Sequence, residues 1–126
     1  MIIVNFSHPL TAQQIQQLQS LGTATVERVI DVKTQLEESA GFTAQVAALV
    51  DSVGFSPADW QTLPFAVNLP SLSIAAALVL SEIHGRAGFF PAVLRARPLK
   101  DTLLREFEIA EILNLQAVRD AARTRR

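Results

Sequence analysis

The chain has 126 residues, a length that suits one domain, residues 1–126, with its own hydrophobic core. It contains no cysteine, which excludes disulfides, cysteine nucleophiles and cysteine-ligated metal sites. Its net charge of −1 provides no general field that would attract long nucleic acids.

The first 32 residues predict a strand, a helix and a second strand. Five of residues 1–6 are apolar, which indicates a buried strand, and Pro9 stops it. Thr11 is a typical N-cap and Gly22 a typical end of the helix that follows. The β-branched stretch 25–32 predicts the second strand.

Residues 33–88 predict three helices and one strand. Lys33 to Gly41 is a polar connection, after which Thr43 can cap a helix that ends before Gly54. Ser56-Pro57-Ala58-Asp59 is typical of the start of a short helix. The remaining elements are a strand over 64–69 and an apolar helix over 74–84, closed by Gly85 and Gly88.

Residues 89–126 predict a hairpin and a terminal helix. Strands are indicated over 89–97 and 105–115, so close together that they form an antiparallel pair, with a helix over 116–126. The order β-α-β-α-β-α-β-β-α predicts an α/β, Rossmann-like three-layer sandwich. Its sheet is mainly parallel with a C-terminal antiparallel hairpin.

The helix over 74–84 is apolar on every side, so we expect it to be buried on more than one side, against other elements or another subunit. We therefore predict a homodimer or a higher homo-oligomer.

The N-terminus lacks the basic segment of a signal peptide, and the run 74–80 is too short to span a membrane. We expect a cytoplasmic protein that does not bind membranes.

Open parallel sheets bind ligands in the crevice beyond the carboxyl ends of their strands. Three groups of residues follow strands there, and we expect them to face one crevice. These candidate ligand-binding residues are Asn5, Phe6, Ser7 and His8 after the first strand, Asn68, Leu69, Pro70, Ser71 and Ser73 after the third, and Arg95 and Arg97, with Lys100 a further possibility, at the end of the fourth.

Ser7 and His8 are the candidate catalytic residues, as a nucleophile and a base. Adjacent side chains on an extended chain point apart, and no acidic residue that would orient the histidine is evident, which disfavours a hydrolase triad. Contact of His8 with a ligand and a structural role in its loop both remain open. The two histidines, His8 and His84, lie on opposite sides of the predicted fold, so we expect neither a metal nor another cofactor.

Two features favour an anionic ligand, although each has a simpler interpretation. The segment 68–73 presents hydroxyls and free amides at a helix start, which favours anions, but Ser71 or Ser73 could instead cap that helix. Nine of the eleven Lys and Arg residues lie in the last third of the chain, either as a local anion site or as a solvated basic face.

Five segments of the chain form one set: Val4–Thr11, Val26–Asp31, Asn68–Leu69–Pro70 with the helix to Arg86, Leu94–Pro98 and Asn114–Arg119. Together they resemble a small CRISPR-associated family of the Csx type, found beside type III CRISPR systems. The resemblance extends over nearly the whole chain, and it lies in the residue sequence of these segments, not in a catalytic signature.

Such families are similar to CARF-like proteins, which are Rossmann-like dimers that bind cyclic oligoadenylates, the second messengers of type III antiviral defence. The resemblance implies a CARF-like fold and a ligand with one phosphate per nucleotide, most favourably cyclic tetra-adenylate, whose two-fold symmetry matches a dimer. It implies that the protein lowers the free messenger by holding the ring or by cleaving it slowly as a ring nuclease.

Ring cleavage would need no metal, because the ribose 2′-hydroxyl can attack its own phosphate when held in line. The candidates for assisting it are His8, Ser7 and Arg97, but a second histidine nearby is missing, so binding without turnover is equally consistent. The alternative is a structural or adaptor subunit of a CRISPR-associated complex without a nucleotide ligand.

Overall fold

The computed structural model describes residues 1–22 and 24–126. Five strands form one sheet in the order β2-β1-β3-β4-β5, in which the first four are parallel and β5 is antiparallel to β4. The predicted Rossmann-like α/β class, with its C-terminal hairpin, is confirmed. The strands are β1 (Ile2–Asn5), β2 (Arg28–Asp31), β3 (Phe65–Asn68), β4 (Ala92–Pro98) and β5 (Phe107–Asn114).

Helices cover both faces of the sheet. On one face, α1 packs Leu18 against Ile3 and Ala66 of the central strands. On the other face, the larger part of the core joins β1 and β3 to the helices α2, α3 and α4. The helices are α1 (Ala12–Leu21), α2 (Phe42–Asp51), α3 (Pro57–Thr62), α4 (Ser73–Ala87) and α5 (Leu115–Arg123).

Local signals predicted several helix ends correctly. Thr11 and Ser56 each form a capping box, in which the hydroxyl accepts an amide of the first turn and the third residue bonds back to the cap. Thr43 as a cap is wrong, because α2 begins one residue earlier, at Phe42. Gly85 is also misplaced, since α4 continues through it to Gly88, whose left-handed backbone (φ 83°) ends the helix.

Helix α4 packs beside α2 and α3 in the core that joins these helices to the sheet. Its buried residues recur every fourth position, Ala75, Val79, Ile83 and Ala87, while Ile74 on another side is 54% exposed. The helix therefore contacts other elements besides the sheet, as expected, but within one protomer it buries a single stripe, not several sides. Exposed positions Ile74, Ala77, Ser81 and Gly85 leave an uncharged outer stripe.

Arg86 ties the C-terminal turn of α4 to α2. Its guanidinium lies 2.6 Å from Asp51 and 3.2 Å from Glu82, and it also donates to the Ala47 carbonyl. Partial burial works to lower the pKa of Arg86, but the hydrogen bonds and charges of Asp51 and Glu82 outweigh it and raise the pKa. The arginine therefore stays charged and serves packing.

Two glutamines of α1 cover part of the edge strand β5. Gln17 accepts from the Ile109 amide at 2.8 Å, and Gln14 donates to the Phe107 carbonyl at 3.0 Å. The glutamine-rich side of α1 is therefore not simply solvated, because these amides protect backbone groups that an edge strand would otherwise expose.

Candidate functional site

A cleft opens where the chain paths on the sheet diverge. From β1 the chain runs through α1 to β2 on one side, whereas from β3 it runs through α4 to β4 on the other. Such a switch point leaves a crevice beyond the carboxyl ends of the two central strands, where open α/β sheets bind their ligands. A cleft of about 530 Å³ lies there, within the size range of small-molecule sites.

Three segments form the walls of this cleft. The first follows β1, the second follows β2 and runs to the start of α2, and the third joins β3 to α4. In that order they contribute Phe6, Ser7, His8 and Pro9; Asp31, Val32, Lys33, Thr34, Leu36, Glu38 and Phe42; and Pro70, Ser71, Leu72 and Ala75.

The structure brings together five of the predicted ligand-binding residues. Phe6, Ser7 and His8 line one wall, and Pro70 and Ser71 line the opposite one. Two of the others, Asn5 and Asn68, are the last residues of β1 and β3 and lie at the base of these walls. The first two predicted groups therefore meet at one crevice.

The other predicted residues lie outside the lining. Leu69 packs on the hydrophobic core, and Ser73 is the first residue of α4. Neither Ser71 nor Ser73 caps that helix, whose N-cap is Leu72, so the simpler interpretation of these serines is wrong.

Asn5 fixes the loop that carries Ser7 and His8. Its side chain is completely buried and makes four hydrogen bonds of 2.9–3.0 Å. The amide nitrogen donates to the His8 carbonyl and to the Asp31 carboxylate, while the oxygen accepts from the Ser7 amide and the Asn68 side chain. One side chain therefore joins the ends of three strands and sets one wall of the cleft.

Two helices begin at this cleft without a side-chain cap. Within the described residues, α1, α3 and α5 are capped by Thr11, Ser56 and Asn114, whereas the N-cap residues of α2 and α4, Gly41 and Leu72, provide no capping side chain. The first turns of both uncapped helices line the cleft, through Phe42 and Ala75. Free amides and the helix dipole make both helix starts favourable for negative charge.

Charged side chains lie mainly on the β2 side of the cleft, which carries Asp31, Lys33 and Glu38. His8 is exposed, and within residues 1–22 and 24–126 no carboxylate forms a hydrogen bond or ion pair with its ring. The geometry lacks the oriented base of a triad. It provides hydroxyls, amides and apolar walls suited to binding.

No match to this chain is found among protein-family models, curated proteins or solved structures. No three metal-ligating side chains of the described residues come together, and none of the helices described has the length and hydropathy of a membrane span.

Arg95 and Arg97 are not part of the cleft lining. They lie on the hairpin, where Arg95 pairs with Glu111 and Arg97 with Glu108 at 2.6 Å. Each arginine is thus neutralised by a cross-strand carboxylate. Their predicted role in ligand binding stays a prediction, and it is not supported by their position in one protomer.

We expect Arg97→Ala to change the affinity for an anionic ligand by less than about three-fold, equivalent to roughly 0.6 kcal/mol. The reason is its distance from the lining and its pairing with Glu108. Arg123→Ala, on the terminal helix, is the matched control, and both are compared by titration at one salt concentration. A ten-fold loss specific to Arg97→Ala would show that the hairpin reaches the ligand.

The wall between β2 and α2 was not predicted, because the sequence of residues 33–41 indicates only a polar connection. A signal was present, because Asp31 lies near the end of the predicted strand 25–32 and the connection that follows contains the apolar residue Leu36. The carboxyl end of β2 belongs to the same edge of the sheet as those of β1 and β3.

Proposed function

We propose that this protein binds a cyclic oligoadenylate, most favourably cyclic tetra-adenylate, in the switch-point cleft and lowers its free concentration in the cytoplasm by holding it. The observation that carries the proposal is the pair of uncapped helix starts that open into one cleft. A multiply charged phosphate ligand suits such a site, even where arginines are missing from the lining.

The segments that resemble the Csx-type family support the same ligand. Val4–Thr11 and the start of Asn68–Arg86 supply two walls of the cleft, and Val26–Asp31 ends at the third. Three of the five segments therefore converge on the candidate site. Apolar surfaces of Leu36 and Phe42, which are half-buried, offer contacts for adenine rings.

A dimer is part of this proposal, because a two-fold symmetric ring matches two identical clefts. The uncharged outer stripe of α4, which includes Ile74 and Ala77, starts beside the cleft and offers a surface for a second copy. The same stripe favours the second candidate function, an adaptor subunit that forms oligomers without a nucleotide ligand. Titration with the ring separates the two, since only the first requires binding, whereas light scattering tests the oligomer that both require.

We expect retention of the ring to outweigh cleavage. A general acid or base typically contributes about 10²–10⁴-fold to a reaction, and an exposed His8 without an orienting carboxylate or a second histidine is a weak arrangement for proton transfer. Any cleavage would come from in-line attack of a ribose 2′-hydroxyl, with the protein supplying position and charge stabilisation.

The test is a single-turnover assay with labelled cyclic tetra-adenylate and excess protein, resolved on a denaturing gel, with and without EDTA. We expect the ring to stay bound and intact for many minutes, in both conditions, and His8→Ala to alter affinity without altering the products. His84→Ala, at the far end of α4, is the matched histidine control. Many turnovers per minute would refute retention, and loss of binding in EDTA would refute a metal-free site.

A further inference from the structure

Asp31 occupies a defined place on the floor of the cleft. In the sheet register, Asn5 lies opposite Asp31 on one side and opposite Asn68 on the other, so the last residues of three adjacent parallel strands form one row. All three residues are polar and hydrogen-bonded to one another through Asn5. This row differs from the apolar residues that precede it in β1 and β3, which are buried.

The hydrogen bonds leave half of the Asp31 carboxylate free. Asn5 Nδ2 donates to Oδ1 at 2.9 Å and holds the group in place. Within residues 1–22 and 24–126, no other side chain or backbone amide bonds to this carboxylate, and the residue lines the cleft. Asp31 is exposed at the cleft, so its second oxygen is an acceptor that Asn5 holds in place and that is available to a donor of the ligand.

Donors and acceptors both line the cleft. The uncapped starts of α4 and α2 offer amide donors and Lys33 adds a cation, whereas Asp31 and Glu38 offer acceptors on the β2 side. Phosphates are favoured at the helix starts, but the carboxylate of Asp31 repels them and only accepts hydrogen bonds. The part of a nucleotide that reaches Asp31 must therefore carry a donor.

We propose that Asp31 accepts a hydrogen bond from a ribose 2′-hydroxyl and makes the site selective for ribonucleotides over deoxyribonucleotides. This inference rests on the proposed function. The helix starts that would hold the phosphates line the same cleft as Asp31, and the ribose hydroxyls are the donors of a nucleotide that lie next to its phosphates. A hydroxyl bonded to an ionised carboxylate is one of the stronger hydrogen bonds in proteins.

The experiment measures Kd for cyclic tetra-adenylate and for cyclic tetra-deoxyadenylate by calorimetry, for the wild-type protein, Asp31→Asn and Glu37→Gln. Asparagine keeps an oxygen for Asn5 but removes the charged acceptor. Glu37→Gln removes the same charge from the same loop outside the lining, and thermal unfolding verifies that all three proteins are folded.

We expect the wild-type protein and Glu37→Gln to prefer the ribose ring by roughly 10- to 100-fold, and Asp31→Asn to prefer it by about three-fold or less. An undiminished preference in Asp31→Asn would overturn the inference. The inference would also be overturned if the wild-type protein bound both rings equally and Asp31→Asn weakened the binding of both. That result would indicate that an adenine amine, not a ribose hydroxyl, contacts Asp31. Both outcomes leave the proposed function intact, whereas failure of both rings to bind to the wild-type protein would refute the proposed function itself.

Discussion

Asn5→Ala is expected to lower the free energy of unfolding by about 3 kcal/mol and the melting temperature by roughly 10 °C. The substitution removes four hydrogen bonds from a completely buried position. It leaves the Ser7 amide and the Asn68 side chain without their acceptor, and it cuts the link between Asp31 and the His8 loop. Buried groups left without partners cost about 1–3 kcal/mol each, partly offset by water that enters.

Chemical denaturation of Asn5→Ala and Asn114→Ala side by side tests this prediction. Asn114 is a matched control, because it also ends a strand and its side chain accepts a single amide bond, from Ala117 at the exposed start of α5. Loss of such a cap costs about 1 kcal/mol. Equal destabilisation by the two substitutions would contradict the assignment of Asn5 as the centre of the strand-end row.

Ser71→Glu is expected to weaken binding of cyclic tetra-adenylate at least 100-fold, equivalent to about 2.7 kcal/mol, without destabilising the fold. Ser71 is exposed, lines the cleft and lies just before the uncapped start of α4. A carboxylate there competes with the ligand for the free amides and repels its phosphates. For the fold itself, the same charge at a helix N-terminus is neutral or stabilising by about 0.3–1 kcal/mol.

The opposite signs of these two effects make the prediction specific. A substitution that merely damaged the protein would lower both affinity and melting temperature, so both are measured on the same samples. Ser39→Glu adds the same charge on an exposed position outside the lining and should retain at least about a third of the wild-type affinity. Undiminished binding by Ser71→Glu would exclude the α4 start as the phosphate site.

The elements of this fold were predictable because their signals are local. The apolar run 1–6, the capping boxes at Thr11 and Ser56, and the close spacing of the last two strands each report on neighbouring residues. Thr43 and Gly85 misled for a physical reason. The preference of one residue for a helix end is weak: α2 starts after Gly41, and α4 runs through Gly85 to Gly88, whose left-handed backbone ends it.

The site was only partly predictable, because it depends on neighbours in space. The order of the strands placed Ser7, His8, Pro70 and Ser71 together, as the switch-point rule indicated. The register of the hairpin, which pairs Arg97 with Glu108, cannot be derived from composition. The row formed by Asp31, Asn5 and Asn68 likewise appears only once three strands are aligned.

Calorimetric titration of the wild-type protein with cyclic tetra-adenylate tests the central claim most directly, because it yields affinity and stoichiometry together. We expect a Kd of about 1 µM or below, equivalent to roughly −8 kcal/mol, with one ring bound per two protomers and no effect of EDTA. The absence of binding at about 100 µM ring would contradict a cyclic-oligoadenylate site in this cleft.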